Sequence, residues 1–485
     1  MSVQWIDGIK YSGNIAVDVR EPNTLAEANI KEGTTEIAPH AFSGCTALTS
    51  VVFPEGLRLI GKAAFAGCRN LTSLVLPDGL SEIGQEAFSD CSALASIVFP
   101  KGLRLIGRAA FANCSDLTSL VLPDGLTEIG HAAFSGCYRL RSVSFPDSLV
   151  SIGGQAFFDQ EYGCCALAEL VFPPDLVSIG DWAFWGCGEL RSADFRLARK
   201  LKCIGAAAFA ECASLQAVAL PDSLARIGDF AFSGCKNLAS VDFPESLVAV
   251  GSNAFKDCPI RDVRLKENGL TYWRERLIGV DSNIAEATVR EGTKEIAARA
   301  FSDKSYAYGL YSDCEGIGLK KVSLPSSLER IGSDAFKYCE YLGSVIIPDN
   351  TAEIGERAFA GCSRLRDVHF PNGSFSIGNS AFAYCTQLNN IQCPEGLTSI
   401  GHKAFAGCTQ LKDVQFSEGL VSIGNKAFSK CTCLHMVKLP ESLRSLGNKA
   451  FEGCDSLASV RLPAGLQNVG HSIFSGCNLR RKKDC

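Results

Sequence analysis

The chain has 485 residues, of which 46% are hydrophobic and 20% are charged, and its formal net charge at pH 7 is -5. A single compact core stops growing at about 250–300 residues, so this length predicts either several domains or a repeat array. The slightly acidic balance excludes the basic footprint of a nucleic-acid-binding protein. The chain has no run of about 18 apolar residues, which excludes a membrane-spanning helix, and the N-terminus shows no secretory signal.

A 23-residue repeat runs through almost the whole sequence. Its clearest copy, residues 60–82, reads IGKAAFAGCRNLTSLVLPDGLSE, and its general form is IGxxAFxxCxxLxxVxFPxxLxx. A period of 20–50 residues is typical of solenoids, in which each coil buries its apolar side chains against its neighbours. We count 18 coils, which begin at Ile37, Ile60, Ile83, Ile106, Ile129, Ile152, Ile179, Ile204, Ile227, Val250, Ile296, Ile331, Ile354, Ile377, Ile400, Ile423, Leu446 and Val469.

Each coil is predicted to contain three short elements. The segment xxAFxxC, with Ala and Phe beside small residues, is predicted to form one helical turn. The segment LxxVxF alternates with period two and predicts a strand with one buried face. The proline that follows ends this strand because it has no amide hydrogen to donate, and Asp-Gly or Glu-Gly then forms a turn. The segment LxxIG predicts a second short extended piece.

The repeat is interrupted in three places, and one of them indicates a second module. Two coils after Ile152 are long, the interval after Val250 is 46 residues, and the coil at Ile296 has 35 residues. Residues 25–42 match residues 284–301 at 11 of 18 positions. Both segments follow a Gly-containing turn and a short apolar run, which predicts a hairpin that opens a run of repeats.

We therefore predict an organisation in two tandem modules. The second hairpin either forms one degenerate coil of a continuous solenoid, since 46 is twice 23, or accompanies a flexible break. The predicted boundaries are 1–36 for an N-terminal hairpin or cap, 37–265 for a first repeat run, 266–295 for a second hairpin or degenerate coil, and 296–485 for a second run with a terminal cap.

Eighteen of the 23 cysteines, from Cys45 to Cys477, occupy one position of the repeat. We expect a stacked column of buried thiols, each one coil above the last. Coils spaced at about 4.8 Å would hold parallel Cβ atoms slightly beyond the separation of roughly 3.5–4.5 Å that a disulfide needs. The spacing therefore predicts small hydrophobic residues with weak S–H donors, and a reducing compartment fits this best.

One pattern of the chain is specific enough to indicate a family. The pattern LPxxLxxIGxxAFxxCxxL recurs in nearly every coil, over about 450 of the 485 residues; one copy consists of Leu76-Pro77, Leu80, Ile83-Gly84, Ala87-Phe88, Cys91 and Leu94. The chain thereby resembles the BspA-type, or Treponema pallidum-type, leucine-rich repeats. The resemblance implies a curved leucine-rich repeat solenoid of about 18 coils, with a parallel β-sheet on one face and short strands and helical turns on the others. It also implies binding or adhesion roles, seen in bacterial surface proteins and in protozoan parasites.

No motif for catalysis, cofactor binding or metal binding is present, so we predict that the protein is not an enzyme and has no cofactor. The six histidines are scattered, and the close cysteine pairs do not have the spacing of a structural zinc site. Carboxylates recur near the strand-ending proline in many coils. An exposed column of this kind offers no environment that would separate two pKa values for acid and base catalysis. Turn formation explains it; calcium binding along that edge is the alternative.

Differences between coils carry the prediction of a binding site. With Leu, Val and Phe of LxxVxF buried, the residues on either side of Val point outward. This places an apolar valine column beside a serine column in the first coils, and the valine column becomes polar to basic from Asp194 onward. An exposed apolar patch marks a partner site, although valine also suits a strand for its β-propensity alone. The valines of this column are Val52, Val75, Val98, Val121 and Val171.

Aromatic residues near the interruptions form the second candidate. Trp182 and Trp185 flank AF in one coil, and Tyr306, Tyr308 and Tyr311 lie in an insertion between AF and the expected cysteine. Insertions in repeat arrays form loops that are often functional, and Tyr and Trp are enriched at binding hot spots. A loop that has drifted without function is the alternative.

We predict a non-catalytic scaffold that binds a protein partner, or a second copy of itself, through the sheet face and the aromatic insertions. The alternative is a cell-surface or secreted adhesin-like protein that binds host or matrix proteins. We expect no nucleic-acid partner and no membrane insertion. Because no signal peptide is visible and the cysteine column reads as reduced, a cytoplasmic location is favoured over export by a non-classical route.

Overall fold

The computed structural model describes residues 3–158, 166–260, 266–302 and 318–479. The chain divides into two compact units, Met1–Asp262 and Val263–Cys485, called here the first and second unit. Each unit is a β-solenoid in which every coil pairs with the coils before and after it. The predicted repeat solenoid is confirmed, whereas the module boundaries at residues 36 and 295 stay a prediction.

In the described residues of the first unit, coils contribute a longer strand from LxxVxF and a two-residue strand that ends at the coil isoleucine or valine. The two-residue strands continue a sheet that begins with β1, β2 and β3 and runs through the odd-numbered strands to β23. The longer strands form the separate sheets β4-β6, β8-β10, β12-β14 and β16-β18-β20-β22. The strands are β1 (Val3–Ile6), β2 (Ile9–Ser12), β3 (Ile15–Val19), β4 (Glu27–Asn29), β5 (Glu36–Ile37), β6 (Ser50–Val52), β7 (Leu59–Ile60), β8 (Ser73–Val75), β9 (Glu82–Ile83), β10 (Ser96–Val98), β11 (Leu105–Ile106), β12 (Ser119–Val121), β13 (Glu128–Ile129), β14 (Ser142–Ser144), β15 (Ser151–Ile152), β16 (Glu169–Val171), β17 (Ser178–Ile179), β18 (Ser192–Asp194), β19 (Cys203–Ile204), β20 (Ala217–Ala219), β21 (Arg226–Ile227), β22 (Ser240–Asp242) and β23 (Ala249–Val250).

The second unit repeats this arrangement. A sheet begins with β24, β25 and β26 and continues through the even-numbered strands from β28 to β42. The other strands form the sheets β27-β29, β31-β33 and β35-β37-β39-β41. The strands are β24 (Lys266–Glu267), β25 (Leu270–Trp273), β26 (Arg276–Val280), β27 (Glu286–Thr288), β28 (Glu295–Ile296), β29 (Lys321–Ser323), β30 (Arg330–Ile331), β31 (Ser344–Ile346), β32 (Glu353–Ile354), β33 (Asp367–His369), β34 (Phe375–Ile377), β35 (Asn390–Cys393), β36 (Leu397–Ile400), β37 (Asp413–Phe416), β38 (Ser422–Ile423), β39 (Met436–Lys438), β40 (Ser445–Leu446), β41 (Ser459–Arg461) and β42 (Asn468–Val469).

The longer strands have the predicted alternation of inward and outward side chains. In β8 the side chain of Leu74 is buried between the exposed residues Ser73 and Val75. Strand β8 pairs in parallel with β10, so that identical repeat positions lie opposite each other. Outward residues of successive coils therefore form columns along the solenoid.

The segment xxAFxxC does not form the predicted helical turn in the described coils. A helix would bond its amides within the segment, but alternate amides here donate to the next coil. Ala63 and Gly67 have left-handed φ angles of 50° and 74°, and the same conformation recurs at these positions along the chain. The helical prediction was wrong because small residues such as alanine suit close coil stacking as well as a helix, and hydrogen bonds to the next coil select the stacked conformation. In the coil that begins at Ile60, three alternate backbone N–H groups donate to carbonyl oxygens of the next coil at 2.7–2.8 Å. The pairs are Ala63 with Gln85, Phe65 with Ala87, and Gly67 with Ser89.

A column of stacked phenylalanine rings forms the centre of each unit. In the first unit the rings of Phe65 and Phe88 lie 5.2 Å apart and almost parallel. Strand-ending phenylalanines pack edge-on against this column, as Phe53 does against Phe65 at 5.7 Å. Offset-stacked and edge-to-face pairs each contribute about 0.5–1.5 kcal/mol beyond their buried area. The column thus favours one register between coils.

The glycine after the coil isoleucine allows successive coils to approach closely. A Cβ atom on Gly355 would lie 2.7 Å from the backbone carbon of Gly332, closer than real Cβ atoms come. Every coil has glycine at this position except the first of each run, which has Ala38 or Ala297. On their preceding side, those two coils pair with the hairpin strands β3 and β26 and not with another IG coil. The requirement for glycine therefore comes from the coil that precedes it.

Matching antiparallel strands open both units. The turns Asp7-Gly8 and Asn268-Gly269 have positive φ angles at both residues, 48° and 80° in the first and 48° and 77° in the second. This is the type I′ turn, whose twist matches that of the flanking strands. Each hairpin also has an irregularity in its register, before Tyr11 in the first unit and before Tyr272 in the second.

A buried tyrosine ties each hairpin to the chain that follows it. The hydroxyl oxygen of Tyr11 accepts the backbone N–H of Lys31 at 3.0 Å, and that of Tyr272 accepts the backbone N–H of Arg290 at 3.2 Å. Both rings are buried, and the Arg290 guanidinium lies 4.1 Å from the centre of the Tyr272 ring. The two similar segments, residues 25–42 and 284–301, thus make equivalent contacts with their hairpins.

The cysteine column consists of free thiols in the described residues. Each thiol after Cys45 donates to the phenylalanine carbonyl oxygen of the preceding coil, as Cys408 does to Phe382 at 3.2 Å. Burial raises the pKa of the Cys408 thiol to about 12. The Cys408 thiol therefore stays protonated at neutral pH. Its S–H group shares the Phe382 carbonyl oxygen with the backbone N–H of Cys385, which donates at 3.3 Å.

We expect Gly355→Ala to lower the free energy of unfolding by about 1–3 kcal/mol, because the added methyl group overlaps the backbone of the preceding coil. Gly343→Ala is the matched control, since a Cβ there would meet no atom within 4 Å. Urea unfolding followed by circular dichroism measures both variants. Equal stabilities of the two would contradict the close-approach argument.

Tyr272→Phe should lower stability by about 1–3 kcal/mol, because the N–H of Arg290 would lose its acceptor in a largely buried place. Tyr11→Phe should have a similar effect in the first unit. Tyr384→Phe is the control, since its side chain is exposed. The midpoint of urea unfolding reports the difference, and a silent Tyr272→Phe would exclude the cap contact as a stabilising feature.

Cys408→Ala should be less stable than the unaltered chain by about 1–3 kcal/mol at pH 7, and this difference should shrink as the pH rises from 9 to 12. The folded thiol has a pKa raised from 9.0 to about 12, so its stabilisation is complete below pH 9 and is lost as the pH approaches 12. Phe405→Leu, which changes no titrating group, is the control. Unfolding measured at several pH values tests this; a difference that does not depend on pH would refute it.

Candidate partner-binding surfaces

The predicted valine column is an exposed stripe of the first unit. Val52, Val75, Val98, Val121 and Val171, together called the valine stripe, end the strands β6, β8, β10, β12 and β16, and each is 54–73% exposed. Val75 lies directly opposite Val98 in the parallel pairing of β8 and β10. Serines or Glu169 at the first position of the same strands form a parallel polar column. The structure thus brings the five predicted valines onto one face.

Polar residues interrupt and end the stripe. Ser144 lies opposite Val121, and Asp194 lies opposite Val171. Arg196 holds Asp194 in an ion pair of 2.6 Å, and the hydrogen bond from its guanidinium lowers the pKa of that carboxyl group. The charged pair therefore bounds the apolar surface at one end.

The structure also shows exposed apolar residues that the sequence reasoning missed. Ile346 occupies the stripe position in the second unit and is 68% exposed; its place in β31 was readable from the repeat. A second group follows the last leucine of its coil, where the repeated letters LV are the signal. Its members are Val150, Val177, Val248 and Val421.

The two tryptophans lie on a different side of the coil from the valine stripe. Trp182 and Trp185 belong to the turn segment that follows β17, and both are half-buried. Trp182 has a left-handed φ of 58°, and its backbone N–H donates to the carbonyl oxygen of Ala206 in the next coil at 2.8 Å. The ring of Trp185 packs against Phe158 at 5.1 Å. These rings therefore contribute to coil packing as well as to the surface.

The three tyrosines of the predicted aromatic insertion lie outside the described residues, as do most of the residues in the insertions themselves. Near the second insertion, Tyr341 is exposed, and the Arg364 guanidinium lies 4.7 Å from the centre of its ring. A role for Tyr306, Tyr308 and Tyr311 stays a prediction.

Carboxylates near the strand-ending proline connect successive coils. Glu418 accepts the backbone N–H groups of Glu441 at 3.1 Å and Ser442 at 2.9 Å. These bonds, the one from Glu441 first, lower the pKa of the Glu418 carboxyl group. Asp349 likewise accepts the N–H of Asn372 at 3.0 Å. Their contacts are those of turn-stabilising groups, and the described residues contain no group of three or more His, Cys, Asp or Glu placed to hold a metal ion.

The repeat and its geometry agree with a known family. A family model of the BspA type leucine rich repeat region, with six copies, matches residues 21–141, 105–224, 202–313, 310–435 and 375–483. The chain belongs to the BspA-type leucine-rich repeat family. The resemblance seen in the repeat pattern is therefore confirmed. Repeat regions of this family are protein-interaction scaffolds and are generally non-enzymatic.

Solved structures of other repeat proteins are similar to this BspA-type chain. It is 24% identical to a leucine-rich repeat protein from Bacteroides ovatus ATCC 8483, with 97% of each chain covered and a TM-score of 0.42. It is 22% identical to a leucine rich cell surface protein from Faecalibacterium prausnitzii A2-165, over 86% of this chain and 95% of that one, with a TM-score of 0.39. Identity to the T. pallidum leucine rich repeat protein is 30%, over 41% of this chain and 82% of that one, with a TM-score of 0.31.

No curated protein matches the chain in sequence. In the part of the chain that the structure describes, no helix has the length and apolar composition needed to span a membrane. The family assignment therefore rests on the repeat. Only the residues of this chain indicate where a partner would bind.

Proposed function

We propose that the chain is a non-catalytic scaffold that binds a protein partner through the valine stripe. The observation that supports this is the exposure of five valines at one position of the longer strands, each 54–73% exposed. Contiguous exposed apolar surface with polar residues at its rim is typical of a protein-binding site. The serine column along the stripe supplies such a rim.

Affinity of this kind depends on several coils at once. Full burial of a valine side chain contributes roughly 1.5–3 kcal/mol, whereas association costs an estimated 4–15 kcal/mol in lost freedom. One valine does not offset that cost, so a partner must cover several members of the stripe together. Backbone pairing between coils fixes the spacing of Val75 and Val98, and a preformed surface reduces the ordering cost of binding.

The aromatic side of the coils is a second contact area in this proposal. Trp182 and Trp185 keep part of their rings at the surface beside the first long coil. Trp and Tyr are enriched among residues that dominate binding energy. A partner that reaches from the valine stripe to this side would contact both areas. Tyr306, Tyr308 and Tyr311 belong to the proposal by their place in the sequence alone, between AF and the expected cysteine.

An adhesin-like role at a cell surface is the alternative that the family implies. The same stripe would then face a host or matrix protein. Binding of the purified chain to immobilised fibronectin, laminin or collagen, lost in a stripe variant, would favour this role over that of a cytoplasmic scaffold.

Val75→Asp combined with Val98→Asp should abolish partner capture and any self-association, because two charges would have to be buried in the interface. The fold should persist, since both side chains point outward. Capture from lysate with mass spectrometry and sedimentation velocity measure the two forms of binding, and circular dichroism checks the fold.

Val248→Asp is the matched control, because Val248 is similarly exposed at 68% but lies outside the stripe. It should leave capture and self-association unchanged. If the double variant captures the same proteins and sediments like the unaltered chain, the stripe is not the binding surface.

A further inference from the structure

The second unit contains a groove that differs in chemistry from the valine stripe. Its volume is about 790 Å³, within the range of roughly 300–1,000 Å³ that is usual for ligand pockets. It lies across the longer strands β31, β33, β35 and β37 and the turns that follow them.

A local departure from the repeat accounts for the groove. The last residue of the LxxVxF segment is Phe370 in one coil and Phe416 two coils later, but Cys393 in the coil between them. The side chain of Cys393, which is buried, is smaller than that of phenylalanine, so less of the groove floor is filled. In the described residues β33 and β35 are also not paired, since they belong to different sheets.

The preceding turn departs from the repeat as well. Ser374 stands where most other coils have leucine, and Phe375 takes the buried place, with a shift in the pairing of β34 and β36. The ring of Phe375 stacks against Phe370 at 5.8 Å. Phe370 stays half-buried and contributes an apolar patch to the groove floor.

The walls of the groove are polar and rich in amides. Asn390, Gln392 and Gln415 are exposed there beside His369 and Asp367. An amide side chain offers two donors and an acceptor, which matches groups that both donate and accept hydrogen bonds. None of the described residues that line the groove is a lysine or an arginine, so it lacks the charge that recognises phosphate or nucleic acid.

We propose that this groove binds a neutral oligosaccharide. Sugar hydroxyls both donate and accept, as the amide walls require, and the C–H face of a sugar ring can rest on the exposed part of Phe370. A lipid would leave the polar walls without partners, which is costly on desolvation. An anionic ligand would meet Asp349 and Asp367 and, among the described lining residues, no lysine or arginine. The site belongs to the second unit and does not depend on the valine stripe.

A printed array of neutral and charged glycans, probed with the full chain, tests this proposal. The chain should retain neutral glycans, and titration calorimetry with the best of them gives the affinity. Gln392→Ala combined with Gln415→Ala should weaken binding about tenfold or more, because each amide loses its hydrogen bonds to the ligand. Cys393→Phe restores the usual repeat residue and should remove binding by filling the floor.

Lys438→Ala is the control, since Lys438 occupies the same repeat position as Gln392 and Gln415 but does not line the groove. It should bind as the unaltered chain does. Circular dichroism checks each variant, and the glutamine variant decides if Cys393→Phe fails to fold. Absence of glycan binding, equal binding by the glutamine variant, or retention of polar peptides in place of glycans on a parallel peptide array would overturn the proposal.

Discussion

Backbone contact at the glycine after the coil isoleucine sets the distance between successive coils. With no Cβ at Gly355, the chain lies directly against the coil that begins at Ile331. At that separation alternate amides of the turn segment reach the next coil, thiols reach phenylalanine carbonyls, and aromatic rings stack at about 5 Å, as Phe65 and Phe88 do. Every column in the protein therefore depends on one small residue per coil.

Because the buried columns are nearly constant, they explain stability and leave recognition to the outward positions. The two units use the same outward positions differently. The first presents Val75 and its equivalents, whereas the second presents Gln392 and Gln415 around an open groove. Under the two proposals, the first unit would bind a protein through an apolar surface, and the second would bind a hydroxyl-rich ligand through a polar one. The division follows from side chains that play no part in coil stacking.

Much of the fold was predictable from the repeat, because alternation in LxxVxF and the proline after it have direct physical meaning. The turn segment was not. Its left-handed residues include Ala63, Trp182 and Tyr384, none of which favours that conformation alone; hydrogen bonds to the next coil impose it. The exposure of the valine stripe followed from the alternation. The groove did not follow from the alternation. Cys393 was not distinguished from the other 22 cysteines until its place in β35 was known.

Ala38 and Ala297 replace glycine after the coil isoleucine at the start of each run of repeats. Each starts a run in which the preceding element is a hairpin strand and not an IG coil, so a methyl group is tolerated. The residue after the coil isoleucine therefore indicates whether the preceding element is another IG coil or a hairpin strand. In a long array of this type, an alanine at that position would mark the start of a duplicated run of repeats. Such a start could then be recognised from the sequence alone.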